Sequence, residues 1–191
     1  MNIIETYLKI IELKEVVRTG WTEVGIPANK IESVMDHVGG TLFLAILINV
    51  EKNLGLDMEK VSFKIAFNEV KKLERNVEYS ITQNDEYSNN IVESLIGNSE
   101  YLMGLYNDQE SREARFAVMV AKFESDIQAK AYEKAGLFTL ENAKRDIEAY
   151  GSDAAKAILP TMTKASEGWL ANDSKYYDEL FISLSDEVNK L

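Results

Sequence analysis

The sequence predicts an all-α protein, and three observations carry that prediction. Apolar residues recur three and four positions apart through most of the 191 residues, the spacing that lines one face of a helix. No segment alternates apolar and polar residues between turn signals, and no repeat of fixed period is visible. Only two prolines interrupt the chain, so little in it opposes long helices.

The first helix follows from Ile3, Ile4, Tyr7, Leu8, Ile10 and Ile11, whose spacing continues to about Val17. Gly20 and Pro27 then break the pattern. A second periodic segment opens near Ser33, a candidate cap, and carries Val34, Val38, Leu42, Leu44, Ala45 and Ile48 toward a stop at Gly55. It reads as mostly buried. Gly39 and Gly40 inside it cost stability relative to alanine, which predicts either a neighbour packed closely against them or a locally irregular helix.

Asp57 is suited to cap a third helix, with Val61, Ile65, Phe67, Val70 and Leu73 on one face. Residues 80–87 are polar and read as a loop. A fourth helix carries Ile91, Val92, Leu95, Ile96, Leu102 and Met103, with a break at Gly97. The strongest helix is expected over residues 108–133, rich in Ala, Glu, Lys and Arg, with Phe116, Met119, Val120, Phe123 and Ile127 on one face and Gly136 as its stop. Thr139 caps the next, Ser152 or Asp153 opens another that Pro160 must kink or end, and residues 173–191 form the last. With no Gly-, Ser- or Pro-rich linker, residues 1–191 read as one domain.

Composition limits the function. There are 32 acidic and 21 basic residues, a net charge of −11 that opposes a phosphate backbone, so no nucleic-acid partner is expected. A small phosphorylated ligand is still compatible, because net charge describes the far field and not one site. The absence of cysteine rules out disulfides and thiolate metal sites and agrees with a cytoplasmic location. The longest apolar run, residues 41–50, is about half of the roughly 20 residues a spanning helix needs, and no basic leader precedes a signal-like core. Neither export nor membrane insertion is expected.

The most informative stretch is residues 13–37. Leu13-Lys14, Arg18-Thr19-Gly20-Trp21, Glu32-Ser33-Val34 and Asp36-His37 resemble the entry segment of the HD-domain phosphohydrolases, in the branch that includes the bacterial 5'-deoxynucleotidases. The resemblance is strongest at residues 11–75 and 110–133, where Glu124-Ser125-Asp126-Ile127-Gln128-Ala129 is its second specific block. It implies an HD-type helical bundle, completed by the helices of residues 139–191. It further implies a metal held by a His, a His-Asp pair and a later Asp, with a catalytic acid three residues after the pair.

This chain departs from that pattern. His37, the only histidine, matches the first ligand, but the His-Asp pair falls on Asn68-Glu69, the final Asp on Ala121 and the acid on Lys72. One imidazole and no thiolate make a tight transition-metal site improbable, so no cofactor is expected beyond a weakly bound divalent cation, Mg or Mn, on His37, Asn68 and Glu69, with Glu124 or Asp126 as further oxygen donors. The same residues equally suit a buried histidine with polar neighbours. In the family the loop Arg and Trp lie near the substrate's phosphate and sugar, which places Arg18 and Trp21 beside His37, Asn68 and Glu69 as ligand-binding candidates. Arg18 equally suits a cation at a helix C-terminus, and Trp21 a staple that pins the loop to the core.

The leading expectation is therefore a degenerate HD-domain protein without catalysis, binding a nucleotide-like or other small anion or acting through a protein partner. The alternatives are an active phosphohydrolase on nucleoside 5'-monophosphates, with Glu69 in the catalytic site, and an acidic structural or inhibitory module that binds a basic partner. Family members often self-associate, so the resemblance also implies a homodimer.

Overall fold

The computed structural model describes residues 3–77, 96–97, 99–168 and 178–190. Among them every regular element is helical, as the apolar spacing predicts, and the one extended feature is an isolated antiparallel bridge between Val17 and Ser33. The helices are α1 (Ile3–Ile11), α2 (Thr19–Thr22), α3 (Val34–Glu51), α4 (Met58–Val77), α5 (Glu100–Asn107), α6 (Arg112–Lys134), α7 (Leu140–Tyr150), α8 (Asp153–Glu167) and α9 (Glu179–Val188). Short 3-10 turns occupy Glu12–Lys14 and Ala28–Lys30. The loop expected at residues 80–87, and the aromatic residues Trp169, Tyr176 and Tyr177, lie outside the described residues.

Local chemistry sets most helix ends. Asp57 Oδ1 accepts the Glu59 N–H at 3.1 Å, at the start of α4. Ser99, Thr139, Ser152 and Asp178 each accept a backbone N–H in the first turn of α5, α7, α8 and α9, which satisfies a donor that has no partner inside the helix. The long helix α6 starts later than the sequence suggests. Asp108 Oδ1 takes the N–H groups of Glu110 and Ser111, both at 3.0 Å, and Ser111 then takes that of Ala114, so a turn precedes Arg112. Gly136, at φ 67°, ends the helix in the left-handed conformation that glycine adopts without steric cost.

Pro160 neither ends nor divides α8. The helix continues to Glu167 with the proline exposed, and the carbonyl that a backbone N–H at that position would have bonded belongs to Lys156, another exposed residue. At the surface, water can take that acceptor. The apolar run at residues 41–50 lies within an 18-residue helix, Val34–Glu51, which by length and composition is long enough to cross a membrane; 33% of it is buried inside the protein.

Packing divides the chain into two compact units, the first comprising Met1–Val16 and Val34–Val120 and the second Val17–Ser33 and Ala121–Leu191. In the first, Leu13, Val34, Val70 and Ile96 form a buried cluster, with Phe63 and Phe67 stacked at 4.2 Å beside it. Lys64 is buried, and its ammonium donates to the Tyr106 carbonyl at 2.7 Å and to that of Asp108, meeting the carbonyl end of α5 where a cation is favoured. Gly39 departs from expectation: α3 is unbroken there, and a Cβ added at Gly39 would meet nothing within 4 Å among the described residues.

The second unit is built on the loop of residues 17–33. Trp21, Val24 and Ile26 enter a core with Tyr132, Phe138, Ile147 and Met162. Gly20 permits this approach, since a Cβ there would lie 3.1 Å from the Ala154 carbonyl oxygen and 3.3 Å from Ile158. Phe181 anchors α9 edge-on against Phe123, with ring centroids 5.6 Å apart.

Candidate functional site

Candidate residues occur in both units.

In the second unit the bridge between Val17 and Ser33, with the Arg18 N–H donating to the Glu32 carbonyl at 3.2 Å, closes the loop at its neck. That pairing sets Arg18 and Glu32 side by side. The Arg18 guanidinium donates through Nη1 to Glu32 Oε1 in a close ion pair and through Nη2 to Ser125 Oγ on α6 at 3.0 Å. The Trp21 indole N–H donates to the same Glu32 oxygen at 3.0 Å. Glu32 is thereby almost wholly buried without being isolated, since a cation and a neutral donor both meet its carboxylate.

Tyr132 completes the group. Its hydroxyl accepts the Glu32 N–H at 3.0 Å, and its ring meets that of Trp21 edge to face, with centroids 5.1 Å apart. Burial pushes its ionisation above the ordinary value of 10.0, and the nearby Glu32 carboxylate acts the same way; the hydrogen bonds from Glu32 N–H and Gln128 and the charge of Arg18 oppose them. Trp21 is fully buried, with its N–H engaged and its ring in the core. Arg18 keeps 18% of its side chain accessible.

In the first unit α3 carries His37 and α4 carries Glu69. Both are nearly inaccessible, and His37 Nε2 lies 3.7 Å from Glu69 Oε1. Asn68, one residue earlier on α4 and so turned about 100° around its axis, is half-buried. Thr41, one turn after His37 on the same face of α3, is also buried, and its hydroxyl oxygen has no hydrogen-bond partner among the described residues. The side chain of Lys72 lies outside the described residues.

An imidazole and a carboxylate at this distance are a donor pair that a divalent cation can use. Ala121, where the resemblance places a carboxylate, has only a methyl group to offer. Of the other oxygen donors, Asp126 is engaged within its own unit, where Lys164 Nζ lies 3.3 Å from its Oδ2 and both side chains are buried.

Glu32, Ser125, Tyr132 and Lys164 were not singled out by sequence. Glu32 and Ser125 do stand inside the two blocks that carry the family resemblance, which is the one signal that pointed toward them. Nothing in the spacing pairs Lys164 with Asp126 or Tyr132 with the loop. Comparison with protein-family models, with curated protein sequences and with solved structures returned no match.

Proposed function

We propose that this chain is a degenerate HD-domain protein that has lost metal-dependent phosphohydrolysis and works by binding a small anionic ligand of nucleotide type at Arg18. The observation that carries the proposal is the manner in which Arg18 is held. Glu32 and Ser125 fix its guanidinium from two sides while part of the side chain stays accessible. A planar fork oriented in advance loses little freedom on meeting a phosphate. Trp21, which shares Glu32 with it, acts as a support for the loop.

The loss of catalysis rests on donor chemistry. Hydrolysis by a metal-bound water needs a cation held by several ligands with one position open. The chain has one histidine and no cysteine, Asn68 stands where the resemblance places a second imidazole, and Ala121 offers no donor where it places a carboxylate.

The test joins two measurements on the full chain. Calorimetric titration with deoxyribonucleoside 5'-monophosphates is expected to show binding that Arg18→Ala abolishes; equal heats for both proteins would overturn the ligand assignment. Phosphate release from the same compounds with Mg, Mn or Co is expected to equal that of His37→Ala. Release that disappears in His37→Ala would establish the second reading, an active phosphohydrolase with an altered site, which the closeness of His37 and Glu69 favours.

A further inference from the structure

Arg18 stands in a field that its own charge does not dominate. Its guanidinium forms a close ion pair with Glu32, whose side chain is 7% accessible, so water screens that carboxylate little. A second carboxylate lies near the first, with an oxygen of Glu32 and one of Glu124 within 4.8 Å of each other. On α6, which meets the fork through Ser125, Lys122 comes three residues before the serine and Tyr132 seven after it. Burial pushes the Tyr132 hydroxyl above its ordinary 10.0, so it carries no charge at neutral pH. Arg18 and Lys122 are thus matched in number by Glu32 and Glu124, and the four together hold no surplus of positive charge.

That balance bears on which phosphate the site accepts. The second ionisation of a phosphomonoester lies at about pH 6, so above neutrality it is close to a dianion. A phosphodiester is a monoanion throughout. The fork offers the same N–H donors to the oxygens of either. The field separates them, since the attraction of two cations is already met by two anions, and each ligand charge is repelled by Glu32 and Glu124 in surroundings that screen less than water does. A dianion meets about twice that repulsion for the same hydrogen bonds.

We propose that the phosphate held at Arg18 is singly charged, either a phosphodiester or a phosphomonoester that takes up one proton from solvent as it binds. The inference rests on the assignment of an anionic ligand to Arg18 above and names the charge class of that ligand. Arg18 supplies the hydrogen bonds, and Glu32 and Glu124 limit the charge that can approach them. The proton taken up with a monoester stays on the phosphate, so no bond is made or broken.

Calorimetric titration of the full chain with thymidine 5'-monophosphate and with its methyl ester tests the proposal, because the two share base and sugar and differ by one charge. A chelator keeps divalent cations from neutralising the second charge. At about pH 8, two units above the second ionisation of the monoester, the methyl ester is expected to bind at least about tenfold more tightly. Below about pH 6 the two are expected to bind alike. Between these values the affinity of the monoester is expected to fall about tenfold per pH unit, with one proton taken up per ligand, while that of the methyl ester stays level. The proton is counted from the heats in buffers of different ionisation enthalpy, and a titrating protein group would move both compounds instead. Glu124→Gln, which leaves the Arg18–Glu32 pair in place, is expected to narrow the difference at about pH 8. A monoester that binds as tightly as the methyl ester there, or a difference that Glu124→Gln leaves undiminished, overturns the inference; the anion assignment still stands if Arg18→Ala abolishes the binding. Neither compound binding, or both binding Arg18→Ala unchanged, overturns the assignment and the inference with it.

Discussion

Trp21 and Glu32 meet inside the second unit, where the indole N–H donates to a buried carboxylate oxygen at 3.0 Å. That oxygen also holds Arg18, so one acidic residue fixes two side chains of the loop of residues 17–33. Trp21→Phe would keep most of the aromatic packing and remove only the donor. The expected loss is about 1–3 kcal/mol, the cost of a weakened buried polar contact, read from the urea midpoint. Arg18→Ala, which removes the cation that meets the buried carboxylate, is expected to cost more, about 3–5 kcal/mol. Equal and negligible effects would show that Glu32 is solvated rather than held.

Tyr132 gives the second unit an alkaline sensitivity. Its ionisation in the folded chain lies above the 10.0 of an unfolded tyrosine, chiefly because burial disfavours the phenolate. The folded state therefore keeps its proton to higher pH than the unfolded state. The associated stabilisation is fully present below pH 10.0 and is lost as pH rises through the elevated folded value. Unfolding free energy measured across that window is expected to fall more steeply for the parent than for Tyr132→Phe. Parallel profiles would count against the burial effect.

Lys164 and Asp126 form a pair that belongs to the interior rather than the surface. Lys164→Met leaves the Asp126 carboxylate without its ammonium partner, and a loss of about 3–5 kcal/mol is expected. Adding Asp126→Leu to that variant should recover part of it, because apolar replacements avoid the cost of desolvating two charges. A double variant no better than the single one would mean that the pair is not what Asp126 depends on.

His37 and Glu69 supply a clean spectroscopic probe, since the chain has one histidine. Glu69→Gln is expected to shift the imidazole resonances and to cost about 1–3 kcal/mol. Resonances identical to those of the parent would separate the two side chains in solution.

Most of the longer helices and several of their ends were legible in the sequence because they depend on neighbours a few residues away. Asp57, Thr139 and Ser152 act on N–H groups within three positions, and Gly136 ends α6 through its own backbone freedom. Pro160 shows the limit of such reasoning: whether a proline ends a helix depends on whether the acceptor it leaves faces water, which is a property of the packed chain.

The sequence by itself determined an all-α chain with an acidic surface, one histidine and no thiolate, and thereby bounded the chemistry open to it. Tertiary structure alone decided that Glu32 is the residue joining Arg18 to Trp21, that Lys164 is the partner of Asp126, and that Phe43 and Leu47 stand outside while Val38 and Ala45 stand inside. The physical reason is common to all three. Periodicity reports that a face is apolar and a charge pattern reports that a residue is ionic, but which side chain meets it depends on contacts between segments far apart in the chain.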